Sequence, residues 1–283
     1  MKRRKYLYLF ALIPFLLVAF LYEIIPLAMV IVNSFQPDEG VGFTLENYET
    51  VFTKLLYQKA IINSIKISLI SSCIGIIIAF IGARAAHQTH GKLNSIFMTI
   101  LNMVSNFAGI PLAFAFMILL GNAGIVVQIG QALGIDAIAN YNLYTSNGIS
   151  MIYVYFQVPL STLLLIPAFD GVRKEWQEAS TLLGAGKGTF WRKIGIPVLM
   201  PSIMGTFSVL FANALAAYAT VYAIMMNNIS LLPVQIAGCF VGDVKIRQGL
   251  GGALSVTMMV IMVIMIGLTN LVSKQFQKGG AKA

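Results

Sequence analysis

A Gly-Lys-Gly-Thr string at positions 186–189 resembles the loop with which many ATPases hold phosphate groups. A phosphate-binding loop of that kind has the pattern G-x-x-x-x-G-K-[ST] and lies between a strand and a helix. Here Gly188 follows Lys187 where a hydroxyl residue is needed, and Thr181 occupies the position of the first glycine. The residues before the string have helical periodicity. We therefore expect no nucleotide site in this chain.

Two further residue groups could carry chemistry, a histidine pair and the two cysteines. His87 and His90 form an H-x-x-H pattern in a predicted turn without an acidic or cysteine partner nearby in the sequence, which favours a solvated loop over a metal site. Cys73 lies inside an apolar segment and Cys239 in a predicted loop, which disfavours a disulfide. No nucleophile–base pair or carboxylate pair is recognisable. We expect no catalytic residue, metal or cofactor in this chain.

Apolar segments dominate the rest of the chain. It has 283 residues, of which 58% are hydrophobic and 10% charged, whereas soluble domains carry about 25% charged residues. Long continuous apolar runs are typical of membrane-spanning helices and differ from the short alternating strands of membrane barrels. We predict an all-α, polytopic membrane protein with one domain over residues 1–283. Its six transmembrane helices are predicted at residues 6–35, 60–85, 93–120, 149–169, 198–226 and 250–272.

Positive residues are unevenly divided between the two sides of such a chain. The side that includes both termini would hold fourteen of the 19 lysine and arginine residues. The other side would hold five, namely Lys54, Lys59, Lys66, Lys245 and Arg247. Short loops rich in these residues stay in the cytoplasm, so we predict that both termini are cytoplasmic. The net charge of +9 follows from this distribution, and the basic residues are too dispersed for a nucleic-acid surface.

The loop at residues 170–197 would then be cytoplasmic, and it is predicted to form two short helices joined by a glycine turn. Asp170 is expected to cap the first helix, Gly184 to end it in a left-handed conformation, and Thr189 to cap the second. Such a compact element with an apolar face is suited to docking, and an amphipathic helix lying on lipid is the alternative. The first helix carries its apolar side chains on one face, namely Val172, Trp176, Ala179, Leu182 and Leu183.

The same loop resembles the EAA motif, E-A-A-x3-G-x9-I-x-L-P, of permease subunits in binding-protein-dependent ABC importers. The chain matches it with Glu178-Ala179-Ser180, Gly184 and the run Ile194 to Pro197, while Ser180 and Ile196 depart mildly from the pattern. The position between the fourth and fifth predicted spans also agrees. The stretches FTLENYETVF and LLPVQI extend the resemblance over nearly the whole chain. The chain is thus similar to type I, methionine-importer-like permeases, with most likeness to the polyamine and aminoalkylphosphonate branch.

The resemblance implies a methionine-importer-like permease fold and a set of partners. In that family the EAA loop is a coupling helix that docks on a cytoplasmic ATPase dimer, which binds the ATP. A second permease subunit, identical or different, and an extracellular or periplasmic solute-binding protein would complete an importer in a bacterial plasma membrane. Its cargo would be a small solute, with a polyamine or a phosphonate-like organic ion favoured. The coupling residues of this chain would be Glu178, Ala179, Ser180, Gly184, Ile194 and Pro197.

Polar residues inside spans usually face a bundle interior or a cavity, because exposure to lipid is costly. Prolines at positions 26, 111 and 159 are expected to bend the helices that carry them. The alternative role for such polar side chains is hydrogen bonding between helices. The candidates for a translocation path are Glu23, Asn102, Asn106, Gln157, Asn213 and Tyr218.

Other functions remain open from the residues alone. A secondary transporter with an amphipathic interfacial loop would be expected to show inverted repeats and several buried ionisable residues, and neither is recognisable. A membrane-embedded enzyme would need a reactive cluster of side chains. A passive scaffold subunit would tolerate substitution of Glu178, whereas a coupling subunit would not.

Overall fold

The computed structural model of the protein describes residues 12–40, 42–89, 91–226, 228–241 and 246–280. This part of the chain is almost entirely helical and contains no strand. The basic residues 2–5, the first part of the predicted span 6–35, and His90, Lys245 and Lys282 lie outside the described residues.

The helices follow one another with short connections. In chain order they are α1 (Leu12–Ser34), α2 (Glu46–Thr53), α3 (Leu55–Gln88), α4 (Lys92–Ser105), α5 (Ile110–Leu120), α6 (Ile125–Ala132), α7 (Asp136–Ala139), α8 (Ser146–Leu165), α9 (Lys174–Leu182), α10 (Lys187–Phe190), α11 (Ile196–Ala216), α12 (Ala219–Met225), α13 (Leu232–Phe240) and α14 (Gln248–Gly280). A 3₁₀ turn extends α8 over Ile166–Gly171, and a π turn at Trp191–Gly195 joins α10 to α11.

Six helical segments of the described part are long and apolar enough to cross a membrane. The all-α fold and the number of spans are therefore as predicted, although several boundaries differ. The six segments are Leu12–Ser34, Leu55–Gln88, Ile110–Ala132, Ser146–Gly171, Lys187–Ala216 and Gln248–Phe276.

The third span differs most from the prediction over residues 93–120. Helix α4 ends at Ser105, and α5 starts only at Ile110, so the predicted span is cut in two. Gly109 has φ +73°, a conformation that glycine adopts without strain, and Pro111 supplies no backbone N–H to a preceding turn. The membrane-spanning segment therefore starts at Ile110 and continues to Ala132, beyond the predicted end.

The fifth span is also interrupted, in contrast to the prediction over residues 198–226. Helix α11 ends at Ala216, Ala217 is extended with ψ 102°, and α12 resumes at Ala219. The membrane-spanning segment instead begins at Lys187, before the predicted start.

Two prolines are each preceded by a π turn. Pro26 follows the turn Phe20–Ile24 within α1, and Pro197 follows the turn Trp191–Gly195. Because proline donates no backbone hydrogen bond, the turn before it can widen without losing one. Pro159 lies inside α8, which continues through it without interruption. Of the three prolines predicted to bend helices, only Pro26 and Pro111 therefore coincide with irregular backbone.

The packing divides the chain into two compact units, of which one consists of the residues up to Lys59 together with Gln235–Val260. In this unit the Asn47 amide donates hydrogen bonds to the carbonyl oxygens of Ser34 and Gln36, at 3.1 and 2.8 Å. The Asp38 carboxylate accepts the backbone N–H of Gly249 at 2.7 Å. These bonds tie the α1–α2 connection to the start of α14.

The other unit consists of Ala60–Val234 and the residues from Ile261 onward. Its main core is formed by side chains of α3, α5, α8, α11 and α12. The fully buried side chains Tyr153, Ile149, Ile152 and Leu112 lie in this core. All the site features described below belong to this unit, apart from Glu23.

Candidate coupling surface and transport path

The segment 174–190, called here the two-helix segment, consists of α9, a glycine turn and α10. Gly184 has φ +78°. The Ala185 N–H donates to the Ser180 carbonyl at 2.9 Å, and the Gly184 N–H donates to the Thr181 carbonyl at 2.9 Å. These two bonds are those of a Schellman motif, which ends a helix at a left-handed residue. The predicted role of Gly184 as the residue that ends this helix is thus confirmed.

The two predicted helix caps are wrong. Helix α9 begins at Lys174 after Arg173, which makes no side-chain capping bond, and α10 begins at Lys187 after Gly186. Asp170 lies in the preceding 3₁₀ turn, where its Oδ1 is 3.0 Å from His87 Nε2. That contact gives His87 the acidic partner that the local sequence does not show, because the two residues are 83 positions apart.

The two-helix segment has one outward apolar end and one buried side. Leu182 and Leu183 are 89% and 88% exposed, whereas Phe190 is 2% exposed and Ser180 is buried. A shallow groove beside the leucines is lined by Lys174, Gln177, Glu178, Thr181 and Leu182. Free apolar side chains of this kind, rimmed by charged groups, are typical of a surface that another protein covers.

An aromatic cluster holds the end of the segment against two spans, α3 and α8. Trp191 packs with Phe80 of α3 and Phe169 at the end of α8, with ring centroids 6.0 and 6.1 Å apart. Phe80 and Phe169 are themselves 5.3 Å apart, and Phe190 meets Trp191 edge-on at 5.7 Å. Of the remaining predicted coupling residues, Glu178 and Ala179 are exposed, and Ile194 and Pro197 are half-buried.

The breaks in the third and fifth spans meet. The hydroxyl of Thr220, in α12, donates to the carbonyl of Gly109 at 3.2 Å. The carbonyl of Ala217, in the other break, accepts a hydrogen bond at 2.9 Å from the buried Tyr153 hydroxyl of α8. Irregular backbone at membrane depth is tolerated only where it is buried in protein or lines a water-filled cavity. Pro111 was predicted to bend its helix, but the break itself was not predicted; Gly109, two residues before this proline, is the local signal for it.

Four predicted path residues lie close to these breaks in the sequence. Asn106 caps the end of α4, and Asn102 lies one turn earlier; each amide bonds a backbone carbonyl of its own helix, and both side chains are exposed. Asn213 is exposed one turn before Ala216. Tyr218 lies in the break itself and stacks on Tyr222, with ring centroids 5.1 Å apart.

The other two predicted path residues are placed differently. Gln157 is completely buried, and its Nε2 donates to Ser71 Oγ of α3 at 2.9 Å. Its Oε1 has no hydrogen-bond partner, like the hydroxyls of Ser68 and Ser72. Glu23 lies in the π turn of α1 and is exposed. In this conformation Gln157 therefore acts as a contact between helices α8 and α3.

Replacing Gln157 by leucine is expected to leave the thermal unfolding midpoint unchanged or higher. The change forfeits one interhelical hydrogen bond, worth about 0.6 kcal/mol, and removes an unpaired buried oxygen that costs about 1–3 kcal/mol. Uptake should stay near wild type. Thermal unfolding in detergent and substrate uptake in cells measure both effects. Ser71→Ala is the control that removes the same bond but leaves the Gln157 amide buried and unpaired, so it should lower the unfolding midpoint. A loss of uptake at unchanged stability would return Gln157 to the path.

No group that could hold a metal is present among the described residues, where His87 has only Asp170 beside it. What the site offers chemically is a docking surface, hydrogen-bonding amides and aromatic faces. None of these arrangements is a catalytic constellation.

The comparisons with known proteins identify relatives at low sequence identity, and no protein-family model matches the chain. The trehalose transport system permease protein SugB of Mycobacterium tuberculosis is 22% identical, over 89% of this chain and 90% of its own. The spermidine/putrescine transport system permease protein PotC of Haemophilus influenzae is 22% identical, over 92% and 95%. A probable sulfate transport system permease protein of Helicosporidium is 25% identical over 66% of this chain, which spans 61% of that protein.

Solved structures show the same fold. A bacterial alginate ABC transporter in complex with an alginate pentasaccharide-bound periplasmic protein contains a chain that superimposes with a TM-score of 0.76 at 16% identity, over 98% of this chain and 96% of that one. The PotC relative supports the polyamine branch, but the relatives as a group are named for several different solutes. In its fold and in its relatives, the chain is similar to the permease subunits of transport systems, which are non-catalytic membrane components.

Proposed function

We propose that this chain forms the transmembrane path of an ATP-driven bacterial importer and that its two-helix segment docks on a cytoplasmic ATPase subunit. The observation that carries the proposal is the pair of free leucines, Leu182 and Leu183, at the tip of a glycine-ended helix in an importer permease fold. Glu178, beside the same groove, would contribute a charged contact at the rim. In this arrangement ATP is bound by the partner, and both termini of the permease lie in the cytoplasm.

The remaining partners are a second permease subunit and a solute-binding protein on the outer side. Support for the binding protein comes from the alginate transporter, whose solved complex includes a periplasmic protein. Support for the second permease subunit comes from helix α1, whose apolar side chains are exposed along its length in the single chain. In the complex these side chains would face lipid or the second permease subunit.

The path would run past the two helix breaks. Exposed amide and phenol groups beside them are able to exchange hydrogen bonds with a passing solute at little cost. The residues that would line this path are Asn102, Asn106, Asn213 and Tyr218, with Tyr222 added by its stacking on Tyr218. Gln157 would stay in the helix packing.

For the cargo we propose a polyamine in preference to a phosphonate-like anion. Stacked, partly exposed tyrosine faces attract organic cations. A path for an anion would be expected to have Arg or Lys side chains near the breaks. The similarity to a spermidine/putrescine permease supports the same choice. Binding of spermidine by the solute-binding protein encoded beside this gene would support it, and binding of a phosphonate instead would contradict it.

One labelling experiment tests both the orientation and the docking. Leu182→Cys is expected to react with a membrane-impermeant maleimide only from the cytoplasmic side, and the ATPase subunit should protect it. Glu46→Cys, exposed before the second span, serves as the matched control that is labelled from outside with or without that subunit. The two native cysteines are first replaced by serine, because Cys73 is exposed and could react with the maleimide. Burial raises the pKa of the Cys239 thiol and so lowers the reactivity of that residue.

Labelling of Leu182→Cys from outside would contradict the orientation. Cytoplasmic labelling without any protection by the ATPase subunit would leave the orientation standing and contradict the docking.

A further inference from the structure

The second helix of the two-helix segment continues directly into α11, and the base of the segment also touches two other spans. The segment ends at Phe190, and the π turn after it carries Trp191 directly into α11. Phe80 belongs to α3 and Phe169 to the end of α8, and both rings lie against Trp191. We call Phe80, Phe169, Phe190 and Trp191 the aromatic junction.

The side chain of Arg84 lies over the Trp191 ring of this junction. The guanidinium carbon of Arg84, one turn after Phe80 on α3, lies 4.3 Å from the centre of the Trp191 ring. This distance is within the range of a cation–π contact, which strengthens when the groups are partly removed from water. Both side chains are half-buried.

The Trp191 ring also lies close to Gly195. A Cβ atom added to Gly195 would lie 2.5 Å from Cε3 of Trp191, so the ring occupies the space where a side chain would be. The indole is therefore held between a glycine of its own turn and the neighbouring helices. Its orientation follows from packing on several sides.

A second link joins α3 to the residues ahead of α9. His87, one turn beyond Arg84, contacts Asp170 at 3.0 Å, and its ring lies 5.9 Å from that of Phe169. Helix α3 is thus bound to the entry of the two-helix segment as well as to its exit.

We propose that Arg84 and Trp191 are positioning residues that transmit displacement of the two-helix segment to α3, so that the ends of α3, α8 and α11 move together when the ATPase moves. This inference rests on the proposed function. Without the junction, movement of the segment would reach α11 through the chain but would leave α3 behind. Neither residue belongs to the EAA motif, and Arg84 lies about 100 positions before it in the sequence.

The test uses the whole importer, with its ATPase, second permease subunit and binding protein, reconstituted in lipid. Arg84→Gln and Trp191→Leu are each expected to assemble with normal thermal stability and basal ATP hydrolysis. Stimulation of hydrolysis by loaded binding protein, and uptake with it, should fall on the order of tenfold, the scale of a cation–π contact. Arg84→Lys keeps the cation and should restore part of the stimulation. Arg192→Gln, an exposed charge next to Trp191, is the matched control and should behave as wild type.

The double variant supplies the decisive comparison. If the two residues act as a pair, Arg84→Gln combined with Trp191→Leu should be no worse than the more affected single variant. Normal stimulation in both single variants, or additive losses in the double variant, would overturn the inference. Loss of assembly or of thermal stability in Arg84→Gln would also overturn it, because the pair would then serve folding. The docking proposal fails separately, through loss of protection at Leu182.

Discussion

Replacing Leu182 and Leu183 together by aspartate is expected to detach the ATPase subunits while leaving the permease in the membrane. Each leucine is almost fully exposed in the single chain, and covering such a side chain contributes about 1.5–3 kcal/mol. Loss of both contacts, with carboxylates in their place, should weaken docking by about 3 kcal/mol or more, roughly a hundredfold in affinity. Co-purification of the ATPase subunit with the tagged permease measures this loss.

The control is Leu133→Asp, which places one carboxylate at an exposed leucine beyond α6, outside the two-helix segment. It should retain the ATPase subunit and uptake. The proposed docking surface would be wrong if the double variant kept both as well. If Leu133→Asp also lost the ATPase subunit, the loss would be caused by added negative charge in general and not by damage to this surface.

Gly184→Val should be the most harmful single substitution in the two-helix segment. No neighbouring atom lies within 4 Å of an added Cβ, so the damage comes only from the backbone at φ +78°. A β-branched residue is strained there, at a cost of about 1–3 kcal/mol. Relief of that strain would break the two bonds that end α9 and would turn Leu182 away from its groove. Uptake should fall at least about tenfold with normal membrane insertion.

Two control variants separate backbone strain at position 184 from any other effect of a substitution in this turn. Gly184→Asn should be close to wild type, because asparagine tolerates the left-handed conformation. Gly186→Ala should be tolerated, since Gly186 has φ −71° and ψ 161°, which alanine adopts freely. Uptake and stimulated ATP hydrolysis are the measurements. Equal activity of Gly184→Val and Gly186→Ala would show that the turn geometry does not matter for coupling.

Local features were predicted well because they depend on neighbours in the chain. Continuous apolar runs lead to helices at membrane depth, since a backbone in lipid must satisfy its own hydrogen bonds, although two of the six predicted runs are interrupted. Gly184 was predicted to end α9 for the same reason, because a glycine directly after a helical run commonly adopts the left-handed conformation that stops a helix. The caps proposed at Asp170 and Thr189 failed because several residues nearby could start a helix, and local chemistry alone did not choose between them.

Interactions between distant residues could not be predicted. Hydropathy shows that residues 93–120 are apolar enough to span a membrane, but not that Gly109 interrupts them and that Thr220, 111 positions later, accommodates the break. Gln157 is polar in a span by sequence; its contact with Ser71, 86 positions away, decides that it packs between helices in this conformation. The pairing of His87 with Asp170 has the same origin.

The sequence by itself determined that this is an all-α membrane protein with six spans, and it located the segment with the EAA-like spacing. These properties follow from composition, period and turn chemistry within some twenty residues. Only the tertiary structure decided that the breaks in the third and fifth spans meet, that Leu182 and Leu183 stay free, and that Arg84 covers Trp191. Each of these depends on which helices become neighbours, and that choice rests on many weak packing contacts between residues far apart in the chain.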